Sequence, residues 1–320
     1  MLLDLFITHW TEPWEVGEKN IRMLGLQRGV DWSQVRVTMV HDGTERFPDE
    51  YFAGLPFHVN QVEISHRGIA AVRNWCIDHA DAEWIKWCDF DDEFAHIYAL
   101  KNIVDVLDNA QNFDLLWFDM LWEYMDGKVY LRTERNPVFI HDKAFRRSFL
   151  IDHGIRFKED LIWCEDSAFL AVVEMEIDHQ RIGKIRCDST IYLYICRNGS
   201  LCNRPEIKFA NLRSFFVRHC YVADEFLKRG LIDEYNTMCV RIMADSYYTR
   251  GRAPGITDDK TEHEAAVWKW FDEHRDAFYS CRPEMIDEVM VAVNREDFDG
   301  GVITREQVYN WIHEHERSVA

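Results

Sequence analysis

The sequence predicts an α/β protein: a mostly parallel central sheet flanked by helices, with an all-helical appendage at its C-terminal end. Three observations carry that expectation. Short apolar or β-branched runs alternate with helical periodicity through the first half of the 320 residues, the pattern of strand–helix–strand units. Three of those strands end in polar clusters: Thr8-His9, His41-Asp42 and Asp89-Phe90-Asp91. Beyond about residue 205 only helical periodicity remains.

Each element has its own signal. Leu3 to Ile7 is a short apolar strand. Glu18 to Gly29 is a helix, with Ile21, Met23, Leu24 and Leu26 apolar and a glycine to end it. Val35 to Val40 alternates and is β-branched, and Asp42-Gly43 breaks it. Ile69 to His79 reads as a helix, Glu83 to Cys88 as a strand, Leu100 to Asn109 as a helix and Asp114 to Phe118 as a strand. Glu206 to Arg229 is then an amphipathic helix closed by Gly230, and Leu231 to Tyr248 forms the next. Thr261-Glu262-His263-Glu264 and Thr304-Arg305-Glu306-Gln307 each open a helix as a capping box. Gly251 to Gly255 is the expected internal break. The expected division is one domain over 1–205 and a helical region over 206–320.

Composition limits the function classes. The 12 Trp support a sizeable core. The 9 Cys form no CxxC pair and no regular framework, which suits free thiols in a reducing compartment. No secretory leader pattern and no long apolar window is present, so the expected location is cytoplasmic. A formal charge of −19 argues against a general nucleic-acid binder. The acidity is uneven: residues 206–253 carry 8 Lys and Arg against 6 Asp and Glu, and residues 254–320 carry 7 against 16.

The chemistry concentrates in Trp84-Ile85-Lys86-Trp87-Cys88-Asp89-Phe90-Asp91-Asp92. An apolar strand ends there in three carboxylates. At i and i+2 on a continuing strand, Asp89 and Asp91 point to one side. Two anionic oxygens so placed suit a hard cation such as Mn²⁺ or Mg²⁺, which brings phosphates with it. A solvated acidic turn would give the same residues. Ligands of parallel sheets bind at the carboxyl ends of strands, so the three polar clusters should face one crevice.

Further landmarks follow in order. They are Gly68-Ile69-Ala70-Ala71-Val72-Arg73-Asn74, then Glu165-Asp166, then Tyr194-Ile195-Cys196-Arg197-Asn198-Gly199-Ser200. With Thr8-His9-Trp10, Asp42-Gly43-Thr44 and Asp89-Phe90-Asp91-Asp92, they resemble the family 2 glycosyltransferases of the GT-A fold, a Rossmann-like architecture. The resemblance covers roughly residues 3–205.

The resemblance implies a metal-dependent, inverting enzyme that moves a sugar from a nucleotide-sugar, UDP-linked by preference, to an acceptor hydroxyl. It implies that Asp91 and Asp89 hold the cation, with Asp91 ranked first and Asp89 also touching the donor, and that Asp92 acts in support. His141 is a guess for a third ligand. Asp42 would accept a hydrogen bond from the base, or serve as a turn residue before Gly43. Thr8, His9 and Trp10 would line the base pocket. Arg73 would lie near the diphosphate with Asn74 beside it, or Arg73 would pair with an acidic neighbour. Arg197 and Ser200 would cover the diphosphate. Asp166 would be the general base, with Glu165 binding acceptor hydroxyls. Both could instead be dipole-favoured residues of a helix over Asp166–Glu174.

The acceptor is expected beside the Asp166 segment. Arg132, Arg135, Lys143, Arg146, Arg147, Arg156 and Lys158 form a basic stretch. It could face an anionic acceptor, or simply balance the acidic remainder. Acceptor candidates are a glycan, a lipid-linked sugar reached peripherally at a membrane, or a nucleic acid with hydroxymethylated bases. The C-terminal helices would bind acceptor or pair two copies into a homo-oligomer. Two other classes compete. A non-catalytic nucleotide-sugar-binding scaffold need not keep Asp91 together with Asp166. A phosphoryl- or nucleotidyl-transfer enzyme would need a glycine-rich phosphate loop, which Thr8 to Pro13 is not.

Overall fold

The structure, a computed structural model, describes residues 1–132, 138–161, 163–180, 183–198, 208–250, 257–295 and 302–319. The chain divides into two compact units, Met1–Asn203 and Arg204–Ala320.

The first unit is built on a nine-stranded sheet. Its centre is β1 (Leu3–His9), buried along its whole length. On one side lie β2 (Val35–Asp42) and then β3 (Val59–Ile64), and on the other lies β4 (Trp84–Asp89), all parallel to β1 or its neighbour. The sheet continues through β8 (Lys143–Arg146) to β6 (Phe113–Glu123), with β8 antiparallel to both β4 and β6. Next come β9 (Gly183–Ile195), parallel to β6, and a short β5 (Glu93–Phe94), antiparallel to β9. A hairpin strand, β7 (Val129–Arg132), pairs with the far end of β6. The helices are α1 (Trp14–Gly25), α2 (Ile69–His79), α3 (Ala99–Leu107), α4 (Arg147–Asp152) and α5 (Glu165–Gln180).

Register positions the site. His9 sits opposite His41, and Thr8 opposite Asp89. The three polar strand ends therefore fall in one row at the carboxyl edge of β2, β1 and β4. The strands can be apolar on both sides because helices cover the sheet. Trp84 and Trp87 are both fully buried. The one carboxylate inside β1, Asp4, is buried and fully engaged. It accepts from Arg36 at 2.6 and 2.8 Å and from the backbone N–H groups of Asp81 and Ala82 at 2.8 and 2.9 Å.

Boundaries differ from the sequence reading where tertiary contacts intervene. The first helix ends at Gly25 rather than Gly29, because Gln27 leaves the helix to bond the carbonyl of His96 and the N–H of Leu100. Strands β3, β5, β7, β8 and β9 lie outside the sequence reading. β3 is an edge strand of mixed polarity, and β9 meets β6 with register shifts that break its alternation. The helix carrying Glu165 and Asp166 runs on to Gln180.

The second unit is helical: α6 (Lys208–Lys228), α7 (Ile232–Arg250), α8 (Thr257–Tyr279), α9 (Pro283–Arg295) and α10 (Arg305–Val319). Gly230 closes α6 in the left-handed region, at φ +74°. The capping box at Thr304 forms in both directions: Gln307 N–H donates to Thr304 Oγ1 at 3.2 Å, and Thr304 N–H to Gln307 Oε1 at 2.8 Å. Thr261 does not open a helix, since α8 already begins at Thr257. Gly251 to Gly255 lie outside the described residues. Among the described residues, no helix is long and apolar enough to cross a membrane.

Candidate active site

The acidic strand end turns rather than continuing. Phe90 N–H still pairs with the Thr8 carbonyl at 3.0 Å, but Asp92 N–H folds back onto the Asp89 carbonyl at 3.2 Å. That turn ends the two-residue alternation from which Asp89 and Asp91 were expected to act together. It brings Asp89 and Asp92 together instead. One ligand atom from each, with one from His141, lies within 4.8 Å of the others. Asp91 accepts from Arg197 Nε at 2.5 Å, and Arg197 also bonds Glu12 at 2.9 Å. Among the described residues, the ligand atoms that converge are thus those of Asp89, Asp92 and His141, while Asp91 pairs with Arg197.

The turn is held from beneath. Asn20 on α1 donates to the Asp89 carbonyl at 3.0 Å. Gly17, one helical turn earlier, lies so close to the Phe90 ring that a Cβ would overlap it. Thr8 Oγ1 donates to Asp89 Oδ1 at 2.7 Å. Sequence patterns alone did not single out Asn20 or Gly17. The available signal was a polar residue and a glycine inside an amphipathic helix.

Electrostatics set the three carboxylates apart. Burial would raise the Asp89 pKa, but His141 at 3.0 Å and Arg73 at 3.5 Å hold it well below the usual range. Asp92, 2% exposed, is pushed well above it by burial and by the charges of Asp91 and Asp89. Asp91 is also raised, by burial and then by Asp89, with Arg197 opposing. Close carboxylates that repel in this way, beside an imidazole whose Nε2 lies 3.0 Å from Asp89, form an N,O,O donor set that a divalent cation fits.

Arg73 connects this group to the second acidic pair. It projects from α2, is 2% exposed, and reaches Glu165 at 2.8 Å, Asp166 in a close ion pair and Asp89 at 3.5 Å. Glu165 and Asp166 open α5, where the helix dipole favours them. Cys164 just before them is the one non-glycine residue with positive φ among the described residues, at 65°. Burial and the Asp166 charge push Glu165 up to about 7. Burial also raises Asp166, with Arg73 pulling it back. A carboxyl raised to about 7, as Glu165 is, can take a proton at physiological pH.

The remaining expected residues are placed as follows. His9 and His41 meet Nδ1 to Nδ1 at 2.8 Å, and His9 is buried by Phe47 and Phe90 rather than open for stacking. Trp10 is 38% exposed and stacks on His66. Asp42 accepts from His66 Nδ1 and from the N–H groups of Arg67 and Gly68 at 2.9 to 3.0 Å. Asn74 bonds both backbone groups of Phe157 and the Glu159 carboxylate, so its amide serves the loop leading to Glu165. Ser200 lies outside the described residues, as does Arg135. The basic stretch is not a free cationic face. Lys143, Arg146, Arg156 and Lys158 pair with Asp142, Asp114, Asp78 and Asp160 at 2.7 to 3.0 Å. Arg132 lies over the Trp122 ring, and Arg147 is half-buried.

No family model matches the chain. No curated protein matches it either. Among solved structures, S. aureus TarS matches with a TM-score of 0.62 at 16% identity, over 90% of this chain and 50% of that one. TarS 1–349 matches with a TM-score of 0.61 at 16% identity, over 90% and 83%. The same fragment in complex with UDP-GlcNAc gives 0.50 at 16% identity, over 92% and 81%. The chain thus spans half the length of the longer TarS chain. At this identity the likeness is one of fold, and that fold is the GT-A α/β architecture with C-terminal helices.

Proposed function

We propose that the chain is a metal-dependent glycosyltransferase of the family 2 type, moving a sugar from a UDP-linked donor to an acceptor hydroxyl with inversion. One observation carries the reading. A converging Asp89–Asp92–His141 group and a Glu165–Asp166 pair of raised pKa share the carboxyl edge of the sheet, joined by the buried Arg73. The order of motifs supports it, as does the fold shared with TarS, which was solved with UDP-GlcNAc.

In this reading Asp89, Asp92 and His141 hold Mn²⁺ or Mg²⁺, and the imidazole favours Mn²⁺ over the oxygen-loving Mg²⁺. When bound, the ion neutralises charge that develops on the departing diphosphate. Asp166 accepts the proton of the acceptor hydroxyl as its oxygen attacks the anomeric carbon from the face opposite the nucleotide. Glu165 orients that hydroxyl. Arg73 keeps both carboxylates in place. Thr8 fixes Asp89, and the exposed Trp10 offers its ring to the base. Asp42 keeps one carboxylate lone pair for a base N–H beyond the three donors it already holds.

The test is UDP release from a panel of UDP-sugars with and without Mn²⁺. Metal-dependent turnover of at least one donor is expected, and no turnover with any would end the reading. Asp166→Asn should keep donor binding and lose transfer. Retained transfer would move the base elsewhere.

A further inference from the structure

The three residues of the metal group come from two separate segments, the turn after β4 and the approach to β8. Something must hold them in register. Tyr192 on β9, fully buried, touches all three. Its hydroxyl accepts from Asp89 N–H at 3.1 Å and donates to Asp92 Oδ2 at 2.8 Å. It therefore clamps the first and last residues of the turn. The His141 ring stacks on the tyrosine ring, with centroids 5.2 Å apart and planes 14° from parallel. Lys86, also fully buried, completes the arrangement. Its ammonium sits 5.1 Å over the same ring and donates to the His141 carbonyl. Asp92 is fixed a second time by Ile195 N–H, three residues along β9, at 2.8 Å.

A buried tyrosine can be core and nothing more. Here the hydroxyl bonds the main chain of Asp89 and the carboxylate of Asp92, and the ring carries His141. We infer that Tyr192 is a positioning residue for the Asp89–Asp92–His141 group, with Lys86 supporting the His141 limb. Outer residues that orient ligands act on affinity more than on fold. The inference rests on the metal reading above.

The experiment titrates Mn²⁺ by electron paramagnetic resonance into wild type, Tyr192→Phe, Lys86→Met and Asp92→Asn, with urea denaturation of each. Tyr192→Phe keeps the ring and loses only the hydroxyl. It should bind Mn²⁺ about 10–100-fold more weakly. Its Mn²⁺ requirement for UDP release should rise by the same factor, with kcat returning at saturating metal. A loss of packing alone would not be rescued by metal. Mn²⁺ affinity within twofold of wild type in Tyr192→Phe overturns the inference and leaves the metal reading standing. Wild type that binds no Mn²⁺, or binding that Asp92→Asn does not weaken, ends the metal reading and this inference with it. Should Tyr192→Phe not fold, Lys86→Met decides: weakened binding supports the arrangement, and unchanged binding overturns it.

Discussion

Arg73→Met perturbs the centre of the site and has a calculable consequence. The guanidinium is 2% exposed and faces Glu165, Asp166 and Asp89. Removing one partner of a buried ionic cluster leaves uncompensated charge, at a cost of about 3–5 kcal/mol. Glu165 is already pushed up to about 7 with Arg73 present. Without the cation both carboxyls lose the charge that opposes their burial, so both rise further. The sign follows from linkage. A carboxyl whose folded pKa is raised favours the folded state where it is protonated, and that stability is lost as pH rises through the folded value. The penalty of Arg73→Met should therefore be largest at about pH 8 and shrink toward about pH 5.5. Urea denaturation of wild type, Arg73→Met and Arg73→Met/Asp166→Asn at both pH values measures it. The double variant should recover more than half of the loss at the higher pH. A loss below about 1 kcal/mol, or one independent of pH, would refute a desolvated carboxylate cluster around Arg73.

Two further outcomes follow from the same geometry. Calorimetric Mn²⁺ titration should find Asp92→Asn and His141→Ala weakened far more than Asp91→Asn. The reverse order would restore the strand-end pair Asp89 and Asp91 as the ligands. The pH profile of kcat/KM should fall on the acid side near 7 rather than near the ordinary carboxylate value, because burial and Asp166 raise Glu165 to about 7 and the carboxylate that orients the acceptor hydroxyl is protonated below it. Glu165→Gln should move that limb to lower pH, and an unmoved limb would assign it to another group.

Much of the architecture was legible because periodicity and strand-end polarity are local. Val35 to Val40 and Glu83 to Cys88 announced buried strands, and Thr304 to Gln307 announced a helix start that forms as a reciprocal cap. The roles of individual side chains were less legible. Asn74 had the motif position of a donor contact, but its amide is engaged by Phe157 and Glu159, 83 and 85 residues away. The basic residues between 132 and 158 could have faced an acceptor or balanced the acidic remainder, and Arg146 pairs with Asp114 and Arg156 with Asp78. Pairing partners far along the chain leave no local trace.

The sequence by itself determined that three polar strand ends would line one edge of an α/β sheet, because register between parallel strands places their carboxyl ends together. It also determined that three carboxylates would sit at one of those ends. The tertiary structure alone decided which carboxylates converge. The strand turns at Phe90, held by Asn20 and Tyr192, and this sends Asp91 to Arg197 and Asp92 to Asp89 and His141. A two-residue period holds only while the chain stays extended, and where it stops is fixed by contacts from α1 and β9 that no local pattern contains.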